Sequence, residues 1–152
     1  MSNWYRIPFA AVLVLGMMAL VVHAAVPNES VESLKKIATH IVTGKVAKVT
    51  ETSSKFGKGD VFIGNTDEIK GVCEITVTAC EKGEGIETAK IVKARYEQSL
   101  WIGTGPPPPR SSGHRGIPKK GDTVRVYLLK AKDGGYDAAF PNGFEQIKPE
   151  KQ

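Results

Sequence analysis

His40-Ile41-Val42-Thr43-Gly44-Lys45-Val46-Ala47-Lys48-Val49-Thr50 is the stretch on which the fold turns. Up to Val46 its pattern has a period of two. Val42, Gly44 and Val46 share one parity while Thr43 and Lys45 take the other, as in a half-buried strand. From Ala47 the phase changes, and Ala47 and Val49 fall on the opposite parity. A phase change beside a glycine inside a strand predicts a β-bulge or a sharp bend, the device that carries a strand around a barrel corner.

Ahead of this strand, Val31, Leu34 and Ile37 or Ala38 recur at helical spacing, with Asn28 or Ser30 as N-cap. Glu29 and Glu32 at the start and Lys35 and Lys36 at the end suit the helix dipole. A helix this short needs a surface to pack on. Beyond the strand, residues 51–68 carry Ser53-Ser54, Gly57, Gly59 and Gly64-Asn65 and read as a long hairpin connection, in which Val61-Phe62-Ile63 pairs briefly. Ile69 to Glu81 has the clearest alternation in the chain. Lys82-Gly83-Glu84-Gly85 turns into a third strand, Thr88 to Glu97, and Pro118 to Asp122 turns into a fourth with Val124, Val126 and Leu128 on one face. Lys132-Asp133-Gly134-Gly135 is a hairpin turn, since aspartate and glycine accept positive φ. A short fifth strand, Tyr136 to Phe140, ends at Pro141-Asn142-Gly143, and Phe144 and Ile147 fasten the tail.

Five bent strands and one short helix predict a mainly β domain, a small five-stranded antiparallel barrel of the OB type. Open sandwiches of this length need about seven strands. The helix and Ala38-Thr39-His40-Ile41-Val42-Thr43-Gly44-Lys45-Val46, together with Val77 and the four residues leading to Lys82-Gly83, resemble the netrin-like family, the OB-fold group that includes the tissue inhibitors of metalloproteinases. The resemblance covers the first half of the domain and implies the barrel. It does not extend to the inhibitors' mechanism, in which a cysteine at the mature N-terminus chelates the protease zinc. No cysteine precedes Cys73 here, and the family's disulfide framework is absent.

The first residues set the expected location. Arg6 precedes an apolar run, Ile7 to Val22, followed by Val22-His23-Ala24 with small residues at the processing positions of a signal peptide. Residues 1–24 are read as that signal, with cleavage after Ala24 or its neighbour Ala25. Retention as a membrane anchor is the alternative, and it alone would bring the membrane in as a partner. Removing 24 residues from 152 leaves 128, a single barrel domain over 25–152. Of the 21 basic residues only Arg6 is lost, so against 16 acids the mature chain carries +4. An exported chain makes nucleic acid a poor partner.

Two cysteines in an exported chain invite a disulfide, but the spacing opposes it. Cys73 and Cys80 share one extended run, about 23 Å apart at seven residues, and a bridge needs roughly 7 Å between α-carbons. Cys73 falls in line with Ile75 and Val77 as a core residue; Cys80 falls in line with Glu74, Thr76 and Thr78.

Between the third and fourth strands lies Trp101-Ile102-Gly103-Thr104-Gly105-Pro106-Pro107-Pro108-Pro109-Arg110-Ser111-Ser112-Gly113-His114-Arg115-Gly116. A connection this long inside a small domain is functional or disordered. From Gln98 to Gly121 it holds Arg110, Arg115, Lys119 and Lys120 and no acid, so the excess charge is local. Four consecutive prolines preset an extended helix that loses little entropy on binding. Tryptophan and arginine are frequent interface anchors, and arginine grips carboxylates in a bidentate way. The loop is therefore read as a recognition element, with Trp101, Arg110, His114 and Arg115 as binding residues and an acidic protein or polysaccharide as partner. His114 lacks the neighbouring ligands of a zinc site, so no metal and no cofactor is expected, and His40 is read as structural. Two other readings remain: a structural envelope protein without a ligand, and a small hydrolase using Ser111 or Ser112 with His114. The first reading, a non-catalytic binding module, is preferred.

Overall fold

The computed structural model describes residues 27–55, 66–102 and 113–148. Its elements are α1 (Val31–Ile37), β1 (His40–Lys55), β2 (Thr66–Lys82), β3 (Ile91–Trp101), β4 (Thr123–Lys130), β5 (Tyr136–Ala138) and β6 (Phe144–Gln146). The strands that flank the first hairpin are longer than the alternation predicts. Residues 51–55 and 66–68 are strand, paired as far as Lys55 opposite Asp67, rather than connection. Glu51-Thr52-Ser53-Ser54 shows no apolar face to mark it, yet a ladder needs only its backbone groups. The expected pairing of Val61-Phe62-Ile63 lies outside the described residues. The third strand starts late, because Ala89 takes a φ of +64° in the turn before it, and runs on to Trp101.

The bend expected in β1 is present. Its register against β2 shifts between Val46 and Lys48, which leaves Ala47 out of step, and twice more, between Ile41 and Val42 and between Thr43 and Gly44. Gly44 is required at this corner: a Cβ there would overlap the Thr76 carbonyl oxygen and the Ile75 side chain. β1 pairs with β2 on both sides of the bend and, ahead of it, also with β4 from His40 to Lys45.

Closure runs β1-β2-β3-β5-β4 and back to β1. The β3–β5 contact is parallel and only two pairs long, Ala94 with Tyr136 and Arg95 with Asp137, the one departure from antiparallel pairing among the described residues. β5 and β6 lie on the same edge of β4 and together act as its fifth strand. Between them Tyr127 accepts from the Ala139 N–H (2.8 Å) and donates to the Gly143 carbonyl (2.9 Å). The result is the five-stranded OB-type barrel with one short helix.

Its interior is filled by alternate residues of every strand, among them Val42, Cys73, Ile75, Val92, Val126 and Leu128, all nearly or fully buried. Phe144 also enters this core, so the tail is part of the barrel. A second, smaller cluster lies outside it. There α1 sets Leu34 and Ala38 against Ile41, Tyr127 and Ala139, the surface that so short a helix needs. Ser30 caps it, its hydroxyl accepting from the Ser33 N–H at 3.1 Å. Cys73 is buried, Cys80 is exposed, and both are free thiols.

Candidate functional site

Trp101 is the last residue of β3, opposite Thr66, and is half-buried. Arg110 lies outside the described residues, as do Pro106 to Pro109, Ser111 and Ser112. The chain is described again at Gly113, which bridges to Gln98 on β3, and the His114 N–H donates to the Glu97 carbonyl at 2.7 Å. The roots of the loop are therefore adjacent: it leaves after Ile102 and returns against the same strand. Arg115 follows directly and bonds to two other segments. Its N–H donates to the Pro141 carbonyl (2.7 Å) and its guanidinium to the Asn28 side-chain oxygen (2.8 Å). Next to it, Asn142 and Glu29 exchange two hydrogen bonds through the Asn142 amide and the Glu29 backbone, tying the segment before α1 to the same end.

His114 is buried rather than displayed on the loop, with 8% of its surface exposed. Its Nε2 faces the Ala138 carbonyl at 2.9 Å and must carry the proton to donate there. On a neutral ring Nδ1 is then an acceptor and takes the Glu97 N–H at 3.1 Å, with the Glu97 carbonyl also 3.0 Å away. The ring thus joins β3 to β5 just beyond the two residue pairs where they bond directly. Phe140 meets it edge-on at 5.5 Å and Tyr96 at 6.4 Å. In sequence this role is invisible, because both partners are main-chain groups far along the chain. Trp101, His114 and Arg115 are brought to the base of one loop, with His114 inside it.

Sequence reading missed the group beneath. Tyr96 is buried with its ring laid over Gly71, its register partner, where any Cβ would collide with the aromatic carbons. Its hydroxyl donates to the Glu51 carboxylate at 2.6 Å. Burial first, and then the hydrogen bond to Glu51 and its charge, push this phenol well above its ordinary range. A glycine inside a strand was the available sign of close approach, though only the pairing identifies what approaches. Thr52, Lys70, Tyr96, His114 and Phe140 line an open groove of about 580 Å³. Phe140, Leu100 and Ile102 are exposed apolar side chains at this end of the molecule.

Charge is distributed unevenly. On the outer face of β2 and β3, Lys93 pairs with Glu74 (3.6 Å) and Lys70 with Glu97 (4.0 Å), each with its cross-strand neighbour. Arg95 holds Asp133 and Asp137, both at 2.6 Å. Arg125 holds Glu81 (2.8 Å) and Glu145 (3.3 Å), and lowers the Glu81 carboxyl below its usual value through that hydrogen bond. His40, buried at the start of β1, faces the Glu84 carbonyl (3.1 Å) and the Thr39 hydroxyl (2.9 Å), with Gly83 against its ring. Among the described residues no three His, Cys, Asp or Glu side chains gather as a metal site would require. No family model, curated protein or solved structure matches this chain.

Proposed function

We propose that this protein is an exported, non-catalytic binding module whose basic proline- and glycine-rich loop engages an acidic protein or polysaccharide. One observation carries the reading. The loop's two roots are bonded to a rigid barrel, through Gln98 with Gly113 and through the main-chain and ring bonds of His114, so the intervening residues are presented from a fixed base. Loops held on rigid scaffolds are where binding residues concentrate. Trp101 and Arg110 are the contacts assigned to the partner; Arg115 and His114 position the loop, and Arg115 adds charge. A hydrolase built on Ser111 or Ser112 is disfavoured because both His114 ring nitrogens already serve main-chain groups, which leaves neither to accept a hydroxyl proton.

The netrin-like resemblance draws support from a contact between its two motif segments. Gly83, in a left-handed conformation, lies under the His40 ring, where a side chain would collide. The structural-protein reading draws on the burial of His114 and the half-burial of Trp101. Pull-down from the native envelope fraction, followed by direct binding of the recovered partner to the Arg110→Ala variant, separates the two: a recognition loop loses affinity, a purely structural loop loses none.

A further inference from the structure

The cations of the described residues differ in their surroundings, and Lys35, Lys36, Lys82, Lys130 and Lys132 are exposed at scattered positions. Lys70, Lys93, Arg95 and Arg125 all have carboxylates in ion-pairing reach. Lys45, Lys48, Lys119 and Lys120 are exposed, and none has such a partner among the described residues. These four come from distant parts of the chain and are joined by main-chain bonds. The Gly121 N–H donates to the Val46 carbonyl and the Val46 N–H to the Asp122 carbonyl, both at 2.9 Å, which pins the turn after Pro118 onto β1. The turn is further closed by Asp122, whose carboxylate accepts from the Lys119 N–H at 2.8 Å. Lys45, Lys120, Thr76 and Thr78 line an open groove of about 680 Å³ with Ala47 and Gly121 between them. Two acids beside these lysines in sequence or register are already engaged. Glu74, opposite Lys48 in register, is ion-paired to Lys93, and Asp122 closes its own turn.

We propose that this groove binds an anionic polysaccharide, one carrying carboxylate or sulfate groups. Its residues are not those of the loop tip, so the inference goes beyond the loop reading. The choice of a sugar over an acidic protein follows from the lining. Threonine hydroxyls and small residues offer hydrogen bonding to a hydroxylated chain, and no aromatic or large apolar pocket is present to seat a protein anchor. Lysine acts as a mobile point charge rather than a planar fork. It therefore suits anionic groups repeated along a flexible chain.

Equilibrium binding of the purified full chain to polygalacturonate and to dextran sulfate, with neutral dextran as blank, tests this and separates carboxylate from sulfate recognition. The native protein binds at least one polyanion, and more weakly as salt rises. Lys45→Ser with Lys120→Ser weakens binding about tenfold and lowers the salt slope by roughly 2, because two fewer counterions are displaced. Lys48→Ser with Lys119→Ser acts in the same direction, while Lys70→Ser with Lys93→Ser changes affinity less than about twofold, those charges being neutralised in place. Failure of the native protein to bind either polyanion, equal binding to neutral dextran, or equal losses in the groove and control variants overturns the proposal. Trp101→Ala with Arg110→Ala distinguishes the sites. If that pair abolishes polyanion binding and the lysine pairs do not, the groove is rejected and the loop reading stands; if the reverse holds, the groove binds whatever becomes of the loop.

Discussion

Burial pushes the Cys73 thiol up to about 11, and the Asp122 charge adds to the effect. Cys80, on the same strand, is exposed. In the native protein an alkylating reagent should therefore label Cys80 and spare Cys73, and in denaturant it should label both without prior reduction. A peptide linking the two would contradict the strand that separates them. The thiol also sets an alkaline limit. Above pH 9 the unfolded chain loses the Cys73 proton while the folded chain keeps it until about 11. The unfolded state then binds fewer protons, so stability falls as pH rises through this window, by about 2–3 kcal/mol when complete. Tyr96 and Tyr127, both raised chiefly by burial, continue the loss at higher pH. Thermal midpoints between pH 8 and 11 should fall in the native protein and fall less in Cys73→Ala. At this scale the sequence was partly readable: the parity of Cys73 with Ile75 and Val77 announced its burial, whereas nothing in either strand alone announced that Gly71 makes room for Tyr96.

Among the elements, the seam between β3 and β5 is the weakest closure of the barrel, with two residue pairs and the His114 ring beyond them. Replacing His114 by alanine strands the Glu97 N–H and the Ala138 carbonyl and opens a cavity beside Tyr96 and Phe140. The expected loss is about 2–4 kcal/mol, measured by thermal or urea unfolding, with faster hydrogen exchange at the Glu97 amide. An unchanged midpoint would show that the ring does not hold the seam. Strands with one apolar face could be read from alternation, which is why the buried half of β2 was legible. The ends of β1 and β2, polar on both faces, were not. Nor was the assignment of Trp101 to a strand, because Gln98-Ser99-Leu100 shows no alternation and the glycines and prolines after it suggest a loop.

For the whole molecule, the phase change at Ala47 and the count of short strands were enough to indicate a closed barrel, since a strand that reverses its buried face must turn a corner. The manner of closure was not legible, because a parallel contact of two pairs and a fifth strand broken by residues 139–143 leave no periodic trace. Charge told more. The excess cations of the chain gather near one connection in sequence, and the fold sets Lys120 beside Lys45 in one groove, whereas Lys70 and Lys93 on the sheet are ion-paired. The central claim is that the loop based on Trp101 and His114 recognises an acidic partner. Its most direct test is the affinity of the Trp101→Ala and Arg110→Ala variants for the partner isolated by pull-down, measured at low and high salt beside their unfolding midpoints. The account predicts at most about 1–2 kcal/mol lost from stability for half-buried Trp101, almost none for Arg110, and a large, salt-sensitive loss of affinity for both. Full affinity in the Arg110 variant, with a Trp101 variant that unfolds early and otherwise binds as the native protein does, would contradict it.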